Sequence, residues 1–182
     1  MTRESRPSRH AFVDESRRGD TYYLTAALVL TKDLGQCSKA IREGLPKGRR
    51  RAHFSREGDR IRKQIIDLSC SLPTNLIVVV AYGECGTDEE RARQACLRAL
   101  LPGLARRHVV TLVLDSRGER DQRDRQTLAR TLAELRVDMH YSHRGSRDEP
   151  LLGLADAFGW CFGAGKRWSQ QVAPHIVSVV KA

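Results

Sequence analysis

The stretch "HAFVDESRRGDTYYLTAALVL", His10 to Leu30, decides the fold. Ala11-Phe12-Val13 is a short apolar run that ends in two adjacent carboxylates, Asp14 and Glu15. A strand is expected over Ala11 to Glu15, a turn at Arg17-Arg18-Gly19-Asp20, and a second strand over Thr21 to Leu30, rich in Tyr, Thr, Val and Leu. Their short spacing makes them an antiparallel hairpin. Side chains alternate across a strand, so Asp14 shares a face with Phe12 and Glu15 shares one with Val13. At least one carboxylate therefore meets a partly buried surface, where an acid is costly without a cation, a metal or a set of donors.

Beyond the hairpin, Lys32 to Leu45 reads as a helix closed by Gly44 and Pro46, and Ala52-His53-Phe54 as a short third strand. Ser55 then serves as N-cap of a helix with the stripe Ile61, Ile65, Ile66, Leu68 and Leu72. Asn75 to Tyr82 is a continuous apolar run, as in a central buried strand. Thr87 opens a helix reaching Arg106, acidic in its first turn and basic in its last, which suits the helix dipole. Val109 to Asp115 is another buried strand ending in an acid. Glu119 to Arg136 is helical, Asp138 to Ser142 a weak strand, Leu151 to Gly163 an apolar helix, and Val172 to Val180 a last strand or a loose end. A hairpin followed by alternating helices and strands implies a mixed sheet with helices on its faces.

With 182 residues the chain has room for one domain with a proper core. Residues 1–9, basic and polar, read as a frayed tail, and 10–182 as the domain. Lys and Arg number 32 against 22 Asp and Glu, a formal charge of +10 carried mostly by arginine, which suits a nucleic-acid partner and equally an arginine-rich solvated surface. The five cysteines are widely spaced and form no Cys-x-x-Cys pair, which fits reduced thiols in a cytoplasmic protein rather than a disulfide or zinc framework. No apolar run is long enough to span a bilayer, so no membrane partner is expected. Loops of the type Gly-x-Gly-x-x-Gly, Gly-x-x-x-x-Gly-Lys-Ser/Thr and Gly-x-Ser-x-Gly are absent from the sequence. The residues fix no oligomeric state.

Three acids stand out. Asp14 and Asp115 end two strands and, if those strands are neighbours, lie side by side. Asp156 sits within "PLLGLADAFGWCFGAG", where Leu152, Ala155, Asp156 and Gly159 share one helical face of small residues. Carboxylates from two strand ends and one helix make a hard oxygen ligand set for Mg²⁺ or Mn²⁺. In "ERDQRDRQTLARTLAEL" the stripe Leu128, Leu132 and Leu135 places Asp124 inward, with Asp121 three residues earlier at the helix start.

The segments "FVDES", "RAHFSREGDRIRKQIIDL", "LVLDSRGERDQRDRQTLAR" and "SRDEPLLGLADAFGWCFGAG", in that order from Phe12 to about Gly165, resemble the bacterial family called domain of unknown function 3800, in its short actinobacterial form. That family is similar to the ribonuclease H-like superfamily. The resemblance implies an α/β fold with a mixed sheet, N-terminal antiparallel strands followed by parallel ones, and helices on both faces. It also implies a nuclease acting on RNA or DNA through two divalent ions, Mg²⁺ or Mn²⁺, about 3.5–4 Å apart. Carried over, the first-strand acid falls on Asp14, the middle-strand acid on Asp115 and the late-helix acid on Asp156. Glu15 is the second acid of an Asp-Glu-Ser motif. Many members have Glu-x-Lys or Glu-x-His where this chain reads Arg51-Ala52-His53, which leaves Asp124, Glu15 or His53 to complete the set. Arg117, with Lys63 or Arg62, is expected to hold the scissile phosphate. His53 is a candidate proton shuttle, while His143 reads as a loop residue. The competing expectations are a nucleic-acid-binding or scaffold protein on the same fold without catalysis, and phosphoryl chemistry on a small nucleotide.

Overall fold

In the computed structural model, residues 6–46, 54–83 and 88–182 are described. His53, Thr87 and the first two residues of the short strand expected at Ala52-His53-Phe54 lie outside them. The hairpin forms as expected: β1 (Arg9–Arg18) and β2 (Thr21–Leu30) pair antiparallel around Gly19-Asp20, with Gly19 at φ 57°, a left-handed turn position that glycine adopts readily. Ahead of β1, the Ser8 carbonyl accepts from Thr31 N at 3.0 Å. β3 (Thr74–Ala81) adds antiparallel to β2, and β6 (Ile176–Lys181) adds parallel to β3. On the other side β4 (Val109–Asp115) runs parallel to β1, and β5 (His140–Arg144) parallel to β4. The sheet order is β5-β4-β1-β2-β3-β6. The fold is thus a mixed α/β sheet of antiparallel then parallel strands.

Helices cover both faces. α1 (Leu34–Gly44), α2 (Asp59–Ser71), α5 (Leu152–Gly163) and α6 (Lys166–Val172) bury Cys37, Ile41, Ile65, Ile66, Phe158 and Trp168 against Phe12, Ala27, Val29 and Val113. α3 (Glu89–Arg106) and α4 (Asp121–Leu135) bury Cys96, Leu97, Leu100, Leu128 and Leu132 against Val13, Leu24, Leu112 and Leu114 on the other. Strand alternation therefore sends Phe12 and Val13 into two different cores.

Several local expectations are corrected. Phe54 opens a 3-10 turn, Phe54–Arg56, rather than closing a strand, and α2 starts at Asp59 after Gly58, so Ser55 is not its cap. The reason is Arg62, whose guanidinium donates to the carbonyls of Phe54 at 3.0 Å and Ser55 at 2.8 Å and holds that turn closed. Asp88, one residue past the expected Thr87, caps α3 by accepting from Arg91 N at 3.0 Å. β5 lies two residues later than expected, and the chain's last segment is the strand β6.

α5 lies unusually close to the sheet. A Cβ on Gly159 would stand 2.7 Å from Thr25 Oγ1 and 3.2 Å from Thr25 Cβ, and Thr25 is buried in the middle of β2. Gly159→Ala should therefore push α5 outward and cost about 1–3 kcal/mol in denaturant unfolding; an unchanged midpoint would show that the helix is free to shift.

Candidate functional site

β1 and β4 run parallel, with Val13 paired to Leu114, so Asp14 and Asp115 stand one step further on at the carboxyl ends of neighbouring strands. Both lie on the Phe12 and Val113 face, which α5 covers. Asp156, three residues before Gly159 on α5, comes down onto the same place, and its Oδ2 accepts from Phe54 N at 3.0 Å. Asp14, Asp115 and Asp156 line one open cleft of about 430 Å³, together with Glu15, Ser16, Arg17, Arg18, Ser55 and Trp160. The close approach allowed by Gly159 is what brings the α5 acid to the strand ends.

Burial pushes the Asp14 carboxyl well above its ordinary value, and the like charges of Asp156, Glu15 and Asp115 push it further. Its Oδ1 accepts from the Glu15 amide at 2.7 Å. Ser16 Oγ and Thr25 Oγ1, on the same side of the sheet, are buried without a hydrogen-bond partner among the described residues. Crowded carboxylates with orphaned hydroxyls beside them are the surroundings that a divalent cation with its water shell satisfies, so the residues present fit such an ion.

Glu15 points through the sheet to the opposite face, where a second set of charges is buried. Arg93 on α3 is fully buried; it donates to Glu15 and forks onto Asp124 with contacts of 2.8 to 3.1 Å. Arg117 donates to Glu90 at 2.5 Å and to Asp124 at 3.1 Å, and its own amide donates to Asp121 at 2.7 Å. His143, on β5 rather than in a loop, reaches Asp124 Oδ2 at 3.2 Å. Burial raises the Asp124 carboxyl, but the hydrogen bonds of His143 and Arg93 and the charges of Arg93 and Arg117 outweigh it and hold it well below the ordinary range.

Asp121, Asp124 and His143 offer ligand atoms within 4.8 Å of one another, the donor set of a metal site. Both carboxylates are already engaged, Asp124 by two guanidiniums and Asp121 by Ser116 Oγ and the Arg117 amide. A cation here competes with two arginines, whereas in the cleft it meets carboxylates that repel one another.

The structure thus brings Asp14, Asp115 and Asp156 together; Glu15 borders the cleft, but its carboxylate is paired with Arg93, which joins it to Asp124 on the other side of the sheet. Arg117 turns its guanidinium into that buried network. Arg62 lies beside the cleft with its guanidinium carbon 4.4 Å from the Trp160 ring centre, and Lys63 is exposed on α2, paired with Asp67 at 2.7 Å. Sequence reading missed Arg93, although the signal was present: stepping back four residues from Leu97 or seven from Leu100 lands on it, so it lies on the inward stripe of α3.

Neither a scan against protein-family models nor a search of curated proteins finds a match. Among solved structures the chain is similar to the PCNA:RNase HII complex from Archaeoglobus fulgidus, with TM-score 0.56 and 11% identity over 91% of this chain and 75% of that one. It is equally similar to ribonuclease H2 from Pyrococcus horikoshii OT3, with TM-score 0.56 and 11% identity over 91% of this chain and 76% of the other. At that identity the likeness speaks for the fold, and the fold of this chain is ribonuclease H-like.

Proposed function

We propose that the protein is a divalent-metal-dependent nuclease of the domain of unknown function 3800 family, hydrolysing phosphodiester bonds of RNA or DNA in the cytoplasm, with residues 10–182 acting as one domain. The convergence of Asp14, Asp115 and Asp156 on one cleft carries this reading. The likeness to ribonuclease HII and ribonuclease H2 structures supports it, as does a formal charge of +10, which favours a polyanionic substrate. Among the described residues no helix is long and apolar enough to cross a membrane.

Asp14 from β1, Asp115 from β4 and Asp156 from α5 would hold the metal, with Mg²⁺ or Mn²⁺ suited to their oxygen ligands. Two such ions, when bound, supply an activated water and a stabilised leaving oxygen. The chain's own residues then do the holding. Glu15 and Asp124, tied together by Arg93, fix the strand ends from behind, and Arg117 braces the β4 end through Asp121 and Asp124. Arg62 secures the Phe54–Ser55 wall of the cleft, Lys63 adds positive charge on α2, and His53, next in sequence to Phe54, is assigned to the same set as a proton carrier.

Calorimetric titration with Mn²⁺ tests the reading. Wild-type protein should bind the ion, and Asp14→Asn, Asp115→Asn and Asp156→Asn should each lose most of that binding while remaining folded. If the wild type takes up no Mn²⁺, or if the three variants bind as it does, the carboxylates are structural and the protein is a basic nucleic-acid-binding module on a ribonuclease H-like frame.

A further inference from the structure

Beside the three acids the cleft carries an aromatic and cationic wall that the metal chemistry does not use. Trp160, on α5 one turn past Asp156, lines the cleft with Arg18, the last residue of β1. Arg18 lies over the Trp160 ring with its guanidinium carbon 4.7 Å from the ring centre, and Arg62 lies over the same indole at 4.4 Å. The indole is braced by Phe54, with ring centres 5.3 Å apart, and by Trp168 at 5.6 Å. Two of these three groups are held by neighbours: Trp160 by the Phe54 and Trp168 rings, and Arg62 by its bonds to Phe54, Ser55 and Asp59. Arg18 is the exposed member. Its stem is seated against Gly163, where a Cβ would stand 3.2 Å from Arg18 Cγ, so α5 is shaped to receive it.

We propose that Arg18 and Trp160 form a subsite for one nucleotide of an unpaired nucleic-acid strand, next to the acids that would hold the metal; this rests on the nuclease reading of the cleft. A guanidinium stacked on an indole is held flat by it, and presents its outer face to a base and its N–H edge to a phosphate. Only an unpaired base has a free face to offer, because in a duplex both faces are covered by the neighbouring pairs. The cleft, about 430 Å³ and open to solvent, has room for one nucleotide beside the acids. The substrate class is therefore single-stranded RNA or DNA, or an unpaired end or loop.

Fluorescence anisotropy tests this without any cleavage. A fluorescein-labelled single-stranded oligonucleotide and its duplex are titrated with full-length protein in EDTA at physiological salt. The wild type should prefer the single strand by about tenfold or more. Arg18→Lys keeps the charge but not the plane, and should lose most of that preference while binding the duplex as the wild type does. Trp160→Leu should do the same, with its thermal unfolding followed alongside. Equal affinity for both oligonucleotides overturns the proposal, as does an Arg18→Lys variant that keeps the full preference. Because no metal is present, a protein that never cleaves still reports on this subsite, and one that cleaves but binds both forms equally loses the subsite alone.

Discussion

Arg93→Met should destabilise the protein by about 3–5 kcal/mol, lowering the thermal midpoint by on the order of 10 °C. Arg93 is fully buried and joins Glu15 on β1 to Asp124 on α4. Methionine fills much of the space but leaves two acids inside without their shared cation. Arg93→Lys should recover part of the loss, since it restores the charge but not the fork that reaches both partners. The pH dependence has a definite sign. Asp124 titrates below its ordinary 3.8 in the folded protein, so its contribution is present above that unfolded value and is lost as the pH falls through the folded one. Wild type and Arg93→Met should therefore differ most near neutrality and converge on acidification. Parallel melts from pH 7 down to pH 2 check this, with the convergence expected below about pH 4; curves that keep their full separation at pH 2 would sink it.

Asp14→Asn should reduce Mn²⁺-supported cleavage by more than about a hundredfold, since even residues outside a metal's direct ligands cost 10- to 100-fold when changed. The same variant should be more stable than the wild type when both are free of metal. Burial and three neighbouring carboxylates raise the Asp14 carboxyl in the folded state above its ordinary 3.8. The stability that goes with such a shift is fully present below the unfolded value and is lost as the pH rises through the folded one. In EDTA at neutral pH the wild type bears this cost and asparagine does not, and below about pH 4 the variant's advantage should vanish. Excess Mn²⁺ should raise the wild-type midpoint and leave that of the variant in place. A variant that cleaves at the wild-type rate, from a preparation free of other nucleases, overturns the assignment of Asp14.

Much of this arrangement is legible in the residues. Val109 to Asp115 and Thr21 to Leu30 are strands with the bounds their apolar runs suggest, and period-two alternation correctly sends Asp14 and Glu15 to opposite faces. The helical stripe likewise places Asp124 inward. What alternation and stripes leave open is which layer waits on each face. Asp14 meets another acid on α5, whereas Glu15 meets an arginine on α3, and both outcomes depend on contacts about 80 to 140 residues away in sequence. Arg93 was lost among many surface arginines for the same reason. The Phe54–Arg56 turn was missed because its stability comes from the side chain of Arg62, one helix later, rather than from its own residues.

The hairpin that carries Asp14 has a consequence for how the gene can vary. β1 and β2 are matched residue for residue, Arg9 with Leu30 through Arg18 with Thr21, around a two-residue turn. Removing or adding a single codon between Ala11 and Asp14 shifts the strand end by one pleat and exchanges the faces to which Asp14 and Glu15 point. The cleft would then hold the glutamate, and Arg93 would face the aspartate, shorter by one methylene. Insertions and deletions in this strand should therefore survive only in pairs, whereas the surface loops between helices are free to change length one residue at a time.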